Sequence, residues 1–185
     1  MSDSTVRVVA LVGSLRRASI NRRLAQAAVE NAQAGVSVTL VEGLDQLPFY
    51  NEDIDTPGAD LAPAVVDLRT RVSEADAVLL VTPEYNGSTP AVLKNAIDWL
   101  SRPYGAGALN DKPVGVIGAA LGRYAGTWSR TDTRKSVGIA GARVVEEADF
   151  GLQTSRLTDD VLPAEVIDGV GAAVRVLADQ VSARV

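Results

Sequence analysis

Residues Ala77–Val81 form an unbroken apolar run, and Pro83 follows almost at once. A run that short without polar alternation suits a strand covered on both faces, as in the interior of a parallel sheet. Proline stops the strand, Thr82 before it is biased toward extended backbone, Gly87 permits a positive φ, and Thr89-Pro90 reads as a helix cap with proline at the first helical position. The pattern places a polar loop between the carboxyl end of a buried strand and a helix, which is where open α/β sheets bind ligands.

The same alternation repeats along the chain. Strands are predicted at Val6–Val12, Val36–Val41, Ala77–Val81, Val114–Gly118 and Arg143–Glu146, and helices at Ile20–Gln33, Ala62–Ser73, Pro90–Ser101, Gly126–Ala140 and Pro163–Ser182. Regular alternation selects a three-layer, doubly wound α/β sheet over a sandwich or an α+β arrangement. Val36–Val41 alternates strictly, as a half-open edge strand does, whereas the first strand beyond Arg7 and the third strand are apolar throughout and belong at the centre. The expected strand order is 2-1-3-4-5, in a single domain over residues 1–185. In the last helix Val166, Val170, Val174, Leu177 and Val181 fall on one stripe for packing on the sheet. The connection Gly43–Asp60, rich in Asp, Pro and Gly, reads as a solvated loop or as a lid beside a site.

The chain contains no Cys and no His. Disulfides, thiolate and imidazole metal sites, a Cys nucleophile and every Ser-His arrangement are thereby excluded. Chemistry is left to carboxylates, hydroxyls, Lys, Arg, an oxygen-held metal or a reactive cofactor, of which the cofactor is the most economical; no metal site is expected. A formal net charge of -5 argues against nucleic acid as a partner. No stretch is long enough to span a bilayer, and the apolar run Val8–Val12 ends in Gly13-Ser14, unlike a secretory leader, so a cytoplasmic location is expected.

With strand order 2-1-3-4-5, the loops after strands one, three and four meet at one crevice. The first, Gly13–Asn21, brings Ser14, Arg16, Ser19 and Asn21 to the start of a helix, where unpaired N–H groups and the helix dipole favour a phosphate. Arg16, Arg17, Arg22 and Arg23 crowd the same turn of an acidic protein, which favours anion binding over a plain Ser19 cap with solvated arginines. Neither a Walker loop nor a dinucleotide fingerprint is present. The second loop, Thr82–Ser88, offers Tyr85, Asn86 and backbone to a flat heterocycle, or is simply a well-formed turn. In the third, Ala119–Gly126, Arg123 and Tyr124 belong either to the site or to the surface.

Two blocks carry a likeness: G-S-L-R-R-A-S-I-N-R-R-L-A (Gly13–Ala25) and P-E-Y-N-G-S-T-P-A-V-L-K-N-A-I-D-W-L-S-R-P (Pro83–Pro103). In this order they resemble the NADPH-dependent FMN reductase family of the flavodoxin-like fold, which includes chromate, quinone and azo-dye reductases, and the likeness runs over nearly the whole chain. The resemblance implies that Ser14, Arg16 and Asn21 hold the FMN phosphate with Ser19 near them, and that Pro83, Glu84, Tyr85, Asn86 and Gly87 wrap the ribityl chain and isoalloxazine, with Gly122 beside them. The third loop departs from the family's Ser-Gly-rich turn, since Ala119-Ala120-Leu121-Gly122-Arg123 replaces most hydroxyls.

The resemblance further implies NADPH or NADH as electron donor, hydride transfer through FMN to quinones or other oxidised acceptors by a ping-pong scheme, and no side-chain nucleophile. Backbone N–H groups of Tyr85–Gly87 are expected to stabilise charge on the reduced ring. Arg102, Arg123 and Arg130 are candidates for discriminating the two nicotinamide donors. Val92, Leu93, Ala96, Ile97, Trp99 and Leu100 cover more than one helical stripe, so one face is expected to meet a second subunit in a homodimer or homotetramer. Two other readings compete: an electron-carrier flavodoxin, and a hydrolase using Asp53 with Glu84.

Overall fold

The structure, a computed structural model, describes residues 5–157 and 161–183. Strands β1 (Val6–Val12), β2 (Val36–Val41), β3 (Ala77–Thr82), β4 (Pro113–Ala120) and β5 (Arg143–Gln153) pair in parallel, in the expected order β2-β1-β3-β4-β5. Helices α1 (Ile20–Glu30) and α5 (Ala164–Ser182) cover one face; α2 (Pro63–Glu74), α3 (Ala91–Leu100) and α4 (Thr127–Ile139) cover the other. This is the flavodoxin-like architecture.

Every residue of β3 is buried, and its side chains alternate between the two cores: Ala77, Leu79 and Val81 toward α1 and α5, Val78 and Leu80 toward α2 and α3. Each large aliphatic residue so covered contributes about 1.5–3 kcal/mol of burial. Along β2 only Val38 and Val41 are buried, as its edge position requires. On α5 Val166, Val170, Val174 and Leu177 are buried and Val181 is partly so.

Strand β5 runs past the expected Glu146. Its register against β4 shifts between Val114 and Val116, after which Asp149–Gln153 pair with Val116–Ala120. The extension is masked in the sequence by Glu146, Glu147 and Asp149, which break the apolar pattern; Glu146 and Asp149 are there because they meet Arg134 and Arg130 of α4. Gly115 fits this irregularity, since a Cβ there would lie 2.8 Å from Ala148 Cβ.

The apolar surplus on α3 is resolved within the chain. Leu93, Ala96, Ile97, Trp99 and Leu100 are all buried, and Trp99 is fully enclosed. The connection after β2, far from being only a solvated loop, lies along this helix. Trp99 Nε1 and Asn95 Nδ2 donate to Pro48 O at 2.8 and 3.0 Å, and Tyr50 N–H donates to Asn95 Oδ1 at 2.8 Å. Arg69 pairs with Asp55 and also donates to Trp99 O, while Tyr50 packs edge-on against Trp99. The second stripe of α3 is therefore covered by residues 48–55, so it is not what a second subunit would meet.

At the carboxyl edge of the sheet the chain turns outward in opposite directions from the adjacent strands β1 and β3, which creates the crevice. The loops close on one another tightly. Gly13 N–H donates to Val81 O at 2.9 Å, and a Cβ at Gly13 would stand 2.8 Å from Pro90 Cγ.

Candidate functional site

The loop after β1 is rich in uncommitted donors. Ser14 is 7% exposed, yet its hydroxyl has no partner among the described residues. The N–H groups of residues 14–17 have no backbone acceptor there either. Ser19 caps α1 by accepting from Arg22 N–H at 3.3 Å, which leaves its hydroxyl hydrogen free to donate. Arg16 and Arg17 are exposed with no side-chain partner among the described residues, whereas Arg22 is paired with Glu42, whose hydrogen bonds raise the arginine's pKa. Four free arginines are thus not what the loop presents. A cavity of about 340 Å³ flanks it on the β2 side, but Glu42 and Asp45 make that flank mixed in charge, so an anion is better matched by the loop's own donors.

Asn21 is 5% exposed and bridges two loops of the crevice. Its Nδ2 donates to Ala119 O at 3.0 Å and its Oδ1 accepts from Ala119 N–H at 2.8 Å. One Nδ2 hydrogen remains for an anion, so the main work of this amide is to lock the start of α1 to the end of β4.

The loop after β3 is a two-residue turn. Tyr85 and Ser88 exchange backbone hydrogen bonds at 3.3 and 3.1 Å, with Asn86 and Gly87 both at positive φ, 52° and 71°, the geometry an Asn-Gly pair favours. Tyr85 N–H is therefore committed to Ser88, and the N–H groups of this loop without an acceptor among the described residues are those of Glu84, Asn86 and Gly87. Thr89 is not the helix cap: the capping position is Pro90, and the Thr89 hydroxyl meets Thr133 Oγ1 at 2.9 Å. The Tyr85 ring is exposed.

Glu84 is committed structurally as well, its carboxylate accepting from Ser129 N–H at 3.1 Å at the start of α4. Asp53 is exposed and joined to it by no contact among the described residues, which removes the basis for a carboxylate dyad. Pro83 O accepts from the Ser129 hydroxyl at 2.8 Å. Ser129 is the residue sequence reasoning missed; the available signal was Ser129, Asp132 and Thr133 at helical i, i+3, i+4 spacing, a polar stripe whose hydroxyl and carboxylate partners lie between Thr82 and Thr89.

In the third loop Gly122 is exposed, with nothing within 4 Å of where a Cβ would sit. Arg123 lies over the Tyr124 ring, and Tyr124 packs at 5.1 Å against Trp128, both rings exposed. Arg130, by contrast, is buried against Asp149 and cannot reach a nucleotide. Among the described residues no group of three or more His, Cys, Asp and Glu could hold a metal ion, and no helix is long and apolar enough to cross a membrane.

The model of the NADPH-dependent FMN reductase family matches residues 6–156. The chain is similar to a 2-hydroxy-1,4-benzoquinone reductase from Burkholderia sp., 41% identical over 63% of this chain and 62% of that protein, so it spans less than two thirds of that relative's length. It is similar to a quinone reductase from Pseudomonas putida, 43% identical over 70% of this chain and 68% of the other. Its fold superposes, with a TM-score of 0.83 and 30% identity over 96% of this chain and 98% of the other, on FerB, a flavoenzyme NAD(P)H:(acceptor) oxidoreductase from Paracoccus denitrificans.

Proposed function

The chain belongs to the NADPH-dependent FMN reductase family, and from that premise we propose that it is an NAD(P)H-dependent, FMN-containing oxidoreductase that reduces quinones or related oxidised acceptors, donor and acceptor occupying the site in turn. The observation that carries the reading is Ser14, a nearly buried residue whose hydroxyl has no partner among the described residues, set among the N–H groups of residues 14–17 that likewise have none there. A cluster of donors without protein partners, in the loop that leads into a helix, fits a phosphate.

In this reading Ser14, Arg16, Ser19 and the second amide hydrogen of Asn21 hold the phosphate, and Pro83–Gly87 with Gly122 face the ribityl chain and ring. Bound FMN supplies hydride acceptance and two-electron transfer. The chain supplies orientation: N–H donors at Glu84, Asn86 and Gly87, open space over Gly87 and Gly122, and an exposed aromatic rim of Tyr85, Tyr124 and Trp128 suited to planar molecules. Arg102 and Arg123 remain as cations for the donor's nucleotide. For assembly into a homodimer or homotetramer, exposed Tyr104 and Ile139 beside the cavity between α3 and α4 are the apolar surface, replacing the buried α3 stripe.

The test is the visible spectrum of purified protein, followed by anaerobic bleaching with NADPH and with NADH and recovery on adding a quinone. Apoprotein with FMN at 100 times Kd gains about 2.7 kcal/mol. Colourless protein with no thermal stabilisation by FMN sinks the reading.

A further inference from the structure

Resting on the flavin-site reading above, we propose that α4 sets the conformation of the ring-facing turn, with Ser129 and Glu84 as positioning residues. Ser129 Oγ and Thr82 Oγ1 stand 2.8 and 2.9 Å from Pro83 O and 2.7 Å from each other. Both hydroxyls converge on the Pro83 carbonyl, and the bond from Ser129 ties it to α4. The Pro83–Glu84 peptide is trans, so its N–H points the opposite way, and this is one of the N–H groups without an acceptor among the described residues. Ser129, together with Thr82, thereby sets which way the Glu84 N–H is aimed.

The Glu84 side chain closes the arrangement. Its carboxylate returns to Ser129 N–H at 3.1 Å, a charge-assisted bond at the positive end of the α4 dipole. Beyond the turn, Ser88 Oγ donates to Asp132 Oδ2 at 2.8 Å and Thr89 Oγ1 lies 2.9 Å from Thr133 Oγ1. A two-residue turn fixes its own internal shape but not its tilt on the sheet, and an isolated hairpin is at best marginally stable. Contacts to one helix face on both sides of the turn supply that tilt before any ligand arrives.

The experiment titrates FMN into the full-length apoprotein, read by flavin fluorescence quenching, for wild type, S129A, E84A and E84Q, with amide exchange at Ser129 followed in the FMN-free state. S129A and E84A are expected to weaken FMN binding about tenfold or more, whereas E84Q, whose amide oxygen still accepts, stays within about threefold. The Ser129 amide should exchange faster in E84A and remain protected in E84Q. Unchanged affinity in both S129A and E84A overturns the proposal, as does E84Q falling as far as E84A while Ser129 stays protected, because charge and not position would then be at work. If S129A does not fold, the E84A and E84Q pair decides. Wild type that binds no FMN overturns the flavin reading itself, and the positioning role with it.

Discussion

Replacing Asn21 by alanine removes a pair of hydrogen bonds joining residues 98 apart in the chain, at 3.0 and 2.8 Å, in a setting where Asn21 is 5% and Ala119 2% exposed. Each neutral bond contributes about 0.5–1.5 kcal/mol net, but truncating one partner leaves the Ala119 N–H and C=O both unpaired, at about 1–3 kcal/mol apiece if water does not reach them. The expected loss is about 2–6 kcal/mol, toward the lower end where water reaches the groups. With a urea m-value of about 2–3 kcal/mol/M the unfolding midpoint of N21A should fall by about 1 M or more with m unchanged, and the Ala119 amide should lose its exchange protection. N21D separates the two halves of the contact: the carboxylate still accepts from Ala119 N–H but meets Ala119 O with no donor, so protection of the amide should survive while stability still falls. A loss in N21A below about 1 kcal/mol, with the Ala119 amide still protected, would refute the view that this amide locks α1 to β4.

Three further outcomes follow from the same geometry. A Cβ at Gly118 would lie 2.2 Å from Thr82 O, so G118A should destabilise by at least about 3 kcal/mol in urea melts, whereas G122A, with open space at the site of its Cβ, should leave the unfolding midpoint unchanged. S14A should leave apoprotein stability within about 0.5 kcal/mol, because the hydroxyl has no protein partner, yet weaken FMN binding about tenfold in fluorescence titrations; R16A should also flatten the salt dependence of that binding. Burial lowers the Lys112 pKa below its ordinary 10.5, against the opposing pull of Asp76. The unfolded chain therefore holds this proton to higher pH than the folded one, so wild-type stability should rise relative to K112M as pH climbs toward 10.5, and paired melts in which that difference stays flat would contradict it.

The strand order was legible because β2 alternates while β1 and β3 do not, and that contrast reports directly how many faces are covered. The first loop suggested the anion site proposed above because hydroxyls and arginines gathered after a glycine have few structural uses. What stayed hidden depends on pairings distant in sequence. Nothing local in Asn21 announces Ala119, nothing in Trp99 announces Pro48, and nothing in Glu146 and Asp149 announces that α4 carries arginines to meet them. The α3 stripe shows the same limit from the other side. Its composition correctly indicated two covered faces, but a loop of the same chain and a second subunit bury apolar surface equally well, and periodicity does not distinguish them.

Buried polar side chains are the informative exceptions in a core, and their distribution here singles out the crevice. Among the described residues they are Ser14, Ser19, Asn21, Thr82, Asn95, Ser129, Arg130 and Thr133. Asn95 holds the loop along α3 and Arg130 meets β5; the others lie on the loop after β1, at the end of β3, or on α1 and α4 where these face the crevice loops. Seven of the eight have protein partners: Ser19 the Arg22 amide, Asn21 the Ala119 peptide groups, Thr82 and Ser129 each other, Thr133 the Thr89 hydroxyl. Ser14 is the exception. A core in which each of the other seven has at least one protein partner, while the Ser14 hydroxyl has none among the described residues and stands beside N–H groups and two arginines without one, points to a use other than folding. In a chain with no histidine or cysteine, the phosphate-bearing cofactor proposed above would meet both the empty donors and the missing chemistry.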